Sequence, residues 1–183
     1  MKRYIFNFKD IGLSIFLSCF IGVLTYAQST GLVVVDAEYS EKEKVISQVS
    51  TSKILGLEIG SNPWKAIRER IAVDSDITTV HLFAEASYNA IRMGGISYDR
   101  EAIKGEFELS MLEGLYQGTH FQLLIYNCNL GSNGEGIGLL SQISEQSYMN
   151  VGASTRCTSV FSSDFVFDFK TREENLADPI IHN

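Results

Sequence analysis

The chain has 183 residues, 22 of them Asp or Glu and 15 Lys or Arg, for a formal charge of −7. That length suits one domain with one core. The acidic balance excludes the clustered Lys and Arg that nucleic-acid phosphates or an anionic membrane surface require; acidity of this kind serves solubility.

Lys2, Arg3 and Lys9 precede an apolar run of 14 residues, Ile11 to Leu24, and Thr25-Tyr26-Ala27 offers a small-x-small cleavage site. This is the layout of a secretory signal peptide. The run is shorter than the roughly 20 residues of a membrane-spanning helix, so no stable span is expected after cleavage. Phe16-Leu17-Ser18-Cys19 has the look of a lipoprotein box, but the apolar run continues past Cys19, so lipidation is not expected. The expected organisation is a signal peptide at 1–27, a single α/β domain at 28–170 and a loose polar tail at 171–183. The mature chain would carry 12 basic and 21 acidic residues, a charge of −9, and would be periplasmic, surface-bound or released.

Gly31-Leu32-Val33-Val34-Val35-Asp36 is an unbroken apolar run ending in a carboxylate, as in a strand buried on both faces. Ser40 to Val49 has Val45, Ile46 and Val49 at helical spacing, with Ser40 as cap and Glu43 three residues on. Lys53 to Ile59 reads as a second strand. Ser61-Asn62-Pro63-Trp64 opens a helix by a capping residue and an early proline, and Trp64, Ile67 and Ile71 share its core face. Ile77 to Phe83 reads as a third strand, with a short extension at Ala90 to Gly94 before the Gly94-Gly95 turn. Tyr98 to Leu115 is helix-like. Phe121 to Tyr126 is the fourth strand, Gly136 to Gln146 a helix, Met149 to Ala153 the fifth strand, and Phe161 to Phe169 a terminal strand by period-2 spacing.

Strands alternating with helices predict an α/β fold: a mostly parallel central sheet with helices on both faces, in three layers. The carboxyl edge of such a sheet is where ligands and nucleophiles gather. It would collect Asp36, the 84–89 loop, the 127–136 loop and the 154–160 loop. Cys128 ends a buried strand there and is the candidate nucleophile. Two cysteines survive cleavage, Cys128 and Cys157; they allow either one disulfide or one reactive thiol and a bystander.

A thiol nucleophile needs a base, commonly an imidazole. His120 opens the strand that ends at Cys128, about 26 Å away at 3.3 Å per residue. His81 lies within its strand and reads as a satisfied core histidine. His182 is in the tail and would have to fold back. The glycine loop Gly131-Ser132-Asn133-Gly134-Glu135-Gly136 lacks the Gly-Lys-Ser/Thr ending of a nucleotide loop and reads as a tight turn. The spacing of Asp36, Glu85, Cys128 and Cys157 is not diagnostic of a metal, and neither a metal nor a cofactor is expected.

Four segments carry a family likeness: Leu32-Val33-Val34-Val35-Asp36, Leu124-Ile125-Tyr126-Asn127-Cys128, Val151-Gly152-Ala153-Ser154, and Ser163-Asp164-Phe165-Val166-Phe167. In this order the chain, from about Gly31 to Phe169, resembles the bacterial domain of unknown function 4347, found near the start of large exported surface proteins. The resemblance implies a fold of the caspase- and gingipain-like cysteine peptidases. It also implies a Ser-His-Gly tripeptide at the end of the third strand. Counted back from Met93-Gly94, that tripeptide falls on Ala84-Glu85-Ala86, so Glu85 stands where the resemblance implies the catalytic histidine. A carboxylate there raises a neighbouring thiol's pKa instead of drawing its proton away.

Two functions follow as expectations. The first is an exported domain with a degenerate peptidase-like framework, a non-catalytic binding, surface or assembly module for a peptide or protein, with Asp36, Asn127 and Ser154 as rim positions for contact. The second is an active thiol hydrolase with Cys128 as nucleophile and Glu85 or another non-standard group as base.

Overall fold

The computed structural model describes residues 31–50, 53–116 and 120–181. The expected signal peptide and His182 lie outside the described residues. In chain order the elements are β1 (Gly31–Asp36), α1 (Lys42–Gln48), β2 (Ile54–Leu57), α2 (Pro63–Val73), β3 (Thr79–Phe83), β4 (Glu85–Ala86), β5 (Ile91–Met93), β6 (Ile96–Tyr98), α3 (Arg100–Lys104), α4 (Phe107–Ser110), β7 (Gln122–Ile125), α5 (Gly134–Ser147), β8 (Asn150–Ala153) and β9 (Phe169–Lys170). Short 3₁₀ turns at Glu113–Leu115 and Leu130–Ser132 complete the set.

The central sheet has six strands in the order β2-β1-β3-β7-β8-β9. The first five are parallel and β9 is antiparallel to β8. This is the α/β architecture expected. Residues alternate across it with period 2, as pleating requires. Leu32, Val34, Val80, Leu82, Leu123, Ile125, Val151 and Ala153 join the larger core with α2, α3, α4 and α5. Val33, Val35, Phe83, Leu124 and Tyr126 join a second core with Val45 of α1. The two helical layers are therefore unequal. Four helices cover the first face; α1, the 154–168 segment and the chain's last residues cover the second.

Local sequence explains several boundaries. Asn62 caps α2 by accepting the Lys65 N–H at 3.0 Å, and Pro63 supplies the fixed φ of a first turn. Trp64, fully buried, meets Tyr98 edge-on at 6.1 Å and anchors α2 to the sheet. α1 departs from its expected start. Glu41 heads it without a side-chain cap, and the Ser40 N–H, which a capping box would pair with Glu43, is accepted by Glu85.

The helix expected over 98–115 is broken into α3, α4 and a 3₁₀ turn. Gly105 ends α3, and the Glu106 side chain restarts the helix by accepting the Glu108 N–H. The expected terminal strand shrinks to Phe169–Lys170. Phe165 and Phe167 spend their rings on Tyr126, at 5.5 and 5.0 Å, rather than lining a sheet face. The tail expected to be loose is packed as far as Ile181, which is buried in the second core. Its polarity was misleading because its contacts are mostly made by backbone groups.

Trp64 fills the junction of α2 with β6 and has no room to relax outward. Trp64→Ala is expected to lower the unfolding free energy by about 3–5 kcal/mol, read as a shift in the urea midpoint at unchanged slope.

Candidate functional site at the carboxyl edge of the sheet

The parallel register puts the carboxyl ends of four neighbouring strands on one edge: Val35 lies beside Phe83, Leu82 beside Ile125, and Ile125 beside Ala153. Asp36, Glu85, Asn127, Cys128 and Ser154 therefore share a rim, as expected. Cys128 and Cys157 are joined in a disulfide with their Cα atoms 5.0 Å apart. Of the two alternatives left open by the sequence, the structure holds the bridge. A bridged sulfur has no thiolate with which to attack. The segment bearing Cys157 is tied back by Asp168, which accepts the Thr155 N–H at 2.6 Å and the Thr155 hydroxyl at 2.7 Å. Partial burial alone would raise the Asp168 pKa; these Thr155 donors and Arg156 outweigh it and hold the carboxyl below the usual range.

The other rim residues satisfy one another. Glu85 Oε1 accepts the Ser40 N–H at 2.9 Å, which fixes the turn between β1 and α1. Asp36, almost fully buried, accepts the Gly94 N–H at 2.6 Å and the Glu38 N–H at 3.0 Å. It thereby clamps the β5–β6 turn to the end of β1. Gly94 has φ +60°, and a methyl there would press on the Ser61 carbonyl. Asn127 Oδ1 accepts the N–H groups of Asn129 and Leu130, shaping the loop after β7. Ser154 is buried with its backbone against Gly131. The Asp36–Gly94 link was invisible in the sequence; the only hint was a carboxylate ending a fully apolar strand.

No imidazole among the described residues serves the rim. His81 is buried, with Nδ1 at 3.0 Å from the Tyr126 hydroxyl. That hydroxyl accepts the Ile180 N–H at 2.9 Å, and in the tautomer that carries its hydrogen on Nε2 the His81 ring accepts the hydroxyl proton at Nδ1. His81 is thus a core histidine, as expected, but not a fully satisfied one: Nε2 is buried without a hydrogen-bond partner. Burial pushes its pKa down to about 4. His120 sits 3.6 Å from Glu174, away from the rim. Among the described residues no three His, Cys, Asp or Glu side chains come together as a metal-holding group.

A protein-family model described as a domain of unknown function, DUF4347, matches residues 32–171. The chain belongs to this family. Neither the curated proteins nor the solved structures include a match. The match runs from Leu32 in β1 to just past β9, so the rim residues and the disulfide of this chain fall within it, while Leu176, Ala177, Ile180 and Ile181 of the second core lie beyond it.

The glycine loop of the DUF4347 domain acts as a turn. Asn133 caps α5 through Oδ1, which accepts the Glu135 and Gly136 N–H groups at 3.0 Å each. Gly136 runs against the Leu130 and Tyr88 carbonyls, where no side chain fits. The cap pairs the Glu135 and Gly136 amides, two of the donors a phosphate would need. Beside this loop an open polar cleft of about 390 Å³ lies between Asn89, Asp99, Arg100 and the first turns of α5.

Three outcomes test these roles. Asp36→Ala strands two N–H groups, one of them buried, and is expected to cost about 2–4 kcal/mol of stability in urea unfolding. The disulfide closes a loop of 29 residues; the paired change Cys128→Ser with Cys157→Ser is expected to cost about 3–4 kcal/mol in the same measurement. His81 is neutral in the fold and takes a proton more readily when unfolded, near pH 6.5. Its contribution is therefore whole above pH 6.5 and is lost as pH falls toward 4. That loss is about 3 kcal/mol, and unfolding of a His81→Gln chain across the same range should lack it.

Proposed function

We propose that this chain is an exported, non-catalytic binding or assembly module. Its framework is of the caspase- and gingipain-like peptidase kind, and its partner is a peptide or protein. The observation that carries this reading is the state of the rim. The sulfur of Cys128 is bonded to Cys157, and Glu85, just past the end of the neighbouring β3, is a carboxylate engaged with Ser40. A peptidase of that kind needs a free thiolate beside an imidazole. The Cys128 position after β7 and the Glu85 position after the adjacent β3 support the framework, because nucleophile and base would face each other there.

The disulfide also supports export, since such bridges persist in oxidising compartments. The basic start, apolar run and small-x-small site of the first 27 residues agree with it. Among the described residues no helix is long and apolar enough to cross a membrane.

Thiol alkylation of the mature protein, mapped by peptide mass spectrometry with and without reductant, tests the reading. The expected result is no label on Cys128 before reduction. After reduction the labelling rate should rise with a midpoint near the ordinary thiol value of about 8.5, and neither form should cleave a mixed peptide library. An acidic labelling midpoint together with cleavage that disappears in Cys128→Ala would establish the thiol hydrolase instead.

A further inference from the structure

Past Thr171, where the family match ends, the chain turns back over the second face of the sheet. Arg172 N–H is accepted by Asn150 Oδ1 at 3.0 Å. The Gln122 amide grips the segment from both sides, donating to the Asn175 carbonyl and accepting the Ala177 N–H, each at 2.8 Å. Leu176 lies over the bare backbone of Gly152 next to Leu124. Ile180 then gives its N–H to the Tyr126 hydroxyl, and Ile181 is buried. The segment has no helix or strand of its own. Two of its contacts involve titratable pairs: the solvent-exposed contact of Glu174 with His120, and the last, which ends on the buried Tyr126–His81 pair.

We propose that residues 172–181 form an acid-releasable strap, latched by the relay from Ile180 N–H through the Tyr126 hydroxyl to His81 Nδ1, whose release bares the sheet face over Leu124 and Gly152. The latch works by proton direction. While His81 is neutral, Nδ1 accepts the Tyr126 proton and the Tyr126 oxygen is free to accept from Ile180. A proton arriving from solvent binds at Nδ1 and turns that atom into a donor. The Tyr126 hydroxyl proton then has no acceptor in a fully buried position, and the imidazolium has no anion beside it. Opening the strap admits water to both groups.

Among the described residues none supplies a compensating charge to His81. In the sheet it lies between Val33 and Leu124, and its low pKa is caused by burial alone. On the strap, Arg172 reaches the Met149 carbonyl and the Tyr148 ring, Glu174 faces His120, and Glu173 and Asp178 are exposed. On α1, Lys44 covers the Phe161 ring, Glu43 is exposed and Lys42 is half-buried. Tyr39, the other titratable group of this core, packs on Phe83 and stays protonated, its pKa raised by burial and by Glu41 and Glu85.

Hydrogen exchange of the full mature chain, followed by mass spectrometry and corrected for intrinsic rates, reads the latch. Between about pH 6.5 and 4.5 the protection of Leu176 to Ile181 is expected to fall about fortyfold, the linkage for one imidazole that titrates near 6.5 when the strap is open and about 4 when it is closed, while β3 and β7 stay protected. His81→Gln, which never carries a charge, should keep the strap closed at about pH 4.5; His182→Gln should behave as the parent. Strap protection that does not change with pH, strap release at the same pH in His81→Gln, or simultaneous loss of protection in β3 and β7 would each overturn the proposal. Should His81→Gln fail to fold, Tyr126→Phe decides. It takes the acceptor from the Ile180 N–H, so its strap should exchange faster than the parent's at pH 7. A Tyr126→Phe strap as well protected at pH 7 as the parent's overturns the latch.

Discussion

Tyr126 is the point on which the second half of this structure turns. Its ring stacks on Phe83 at 4.1 Å and on Phe165 at 5.5 Å, and Phe167 meets it edge-on. Its hydroxyl links His81 in the sheet to Ile180 in the last segment. One fully buried side chain therefore joins the sheet, the aromatic segment before β9 and the chain's end. Large aromatic area gives the adhesion, and a single polar handle gives the register. The disulfide begins two residues further along, so the same strand end that fixes Tyr126 also presents Cys128 to Cys157.

At the rim, groups with chemical potential are consumed by structure. Asp36 holds the β5–β6 turn, Glu85 holds the turn into α1, Asn127 shapes its own loop, and Asn133 caps α5. A carboxylate or amide that already accepts two buried or local N–H groups is a brace, and replacing those bonds with a ligand's costs what the ligand brings. In this DUF4347 domain those groups are already hydrogen-bonded within the chain, at the edge where an open α/β sheet ordinarily binds its ligands.

The two faces differ in how they are held. The first is packed by α2, α3, α4 and α5 around Trp64 and the alternate strand residues, a dense apolar layer. The second relies on α1 and on irregular chain whose bonds go to Gln122, Asn150, Tyr126 and Thr155. Irregular segments held by a few side-chain hooks open more cheaply than helices sharing a core. Adaptable surface in this domain therefore belongs to the second face and its covering.

Much of the fold was legible in the sequence because burial writes itself as periodicity. The runs at 31–36 and 122–125 and the Asn62-Pro63 start of α2 depend on local pattern and capping, and each formed as its residues indicate. The early appearance of Asp36, Cys128 and Ser154 on one rim follows from parallel strand order alone. What those residues do there was decided by tertiary structure. The Cys128–Cys157 bond, the Asp36 clamp on Gly94, the splitting of the 98–115 helix and the packing of residues 172–181 all join positions far apart in the chain or depend on backbone donors. Sequence pattern records which side chains avoid water, but it does not record which distant N–H group a carboxylate or a tyrosine hydroxyl will meet.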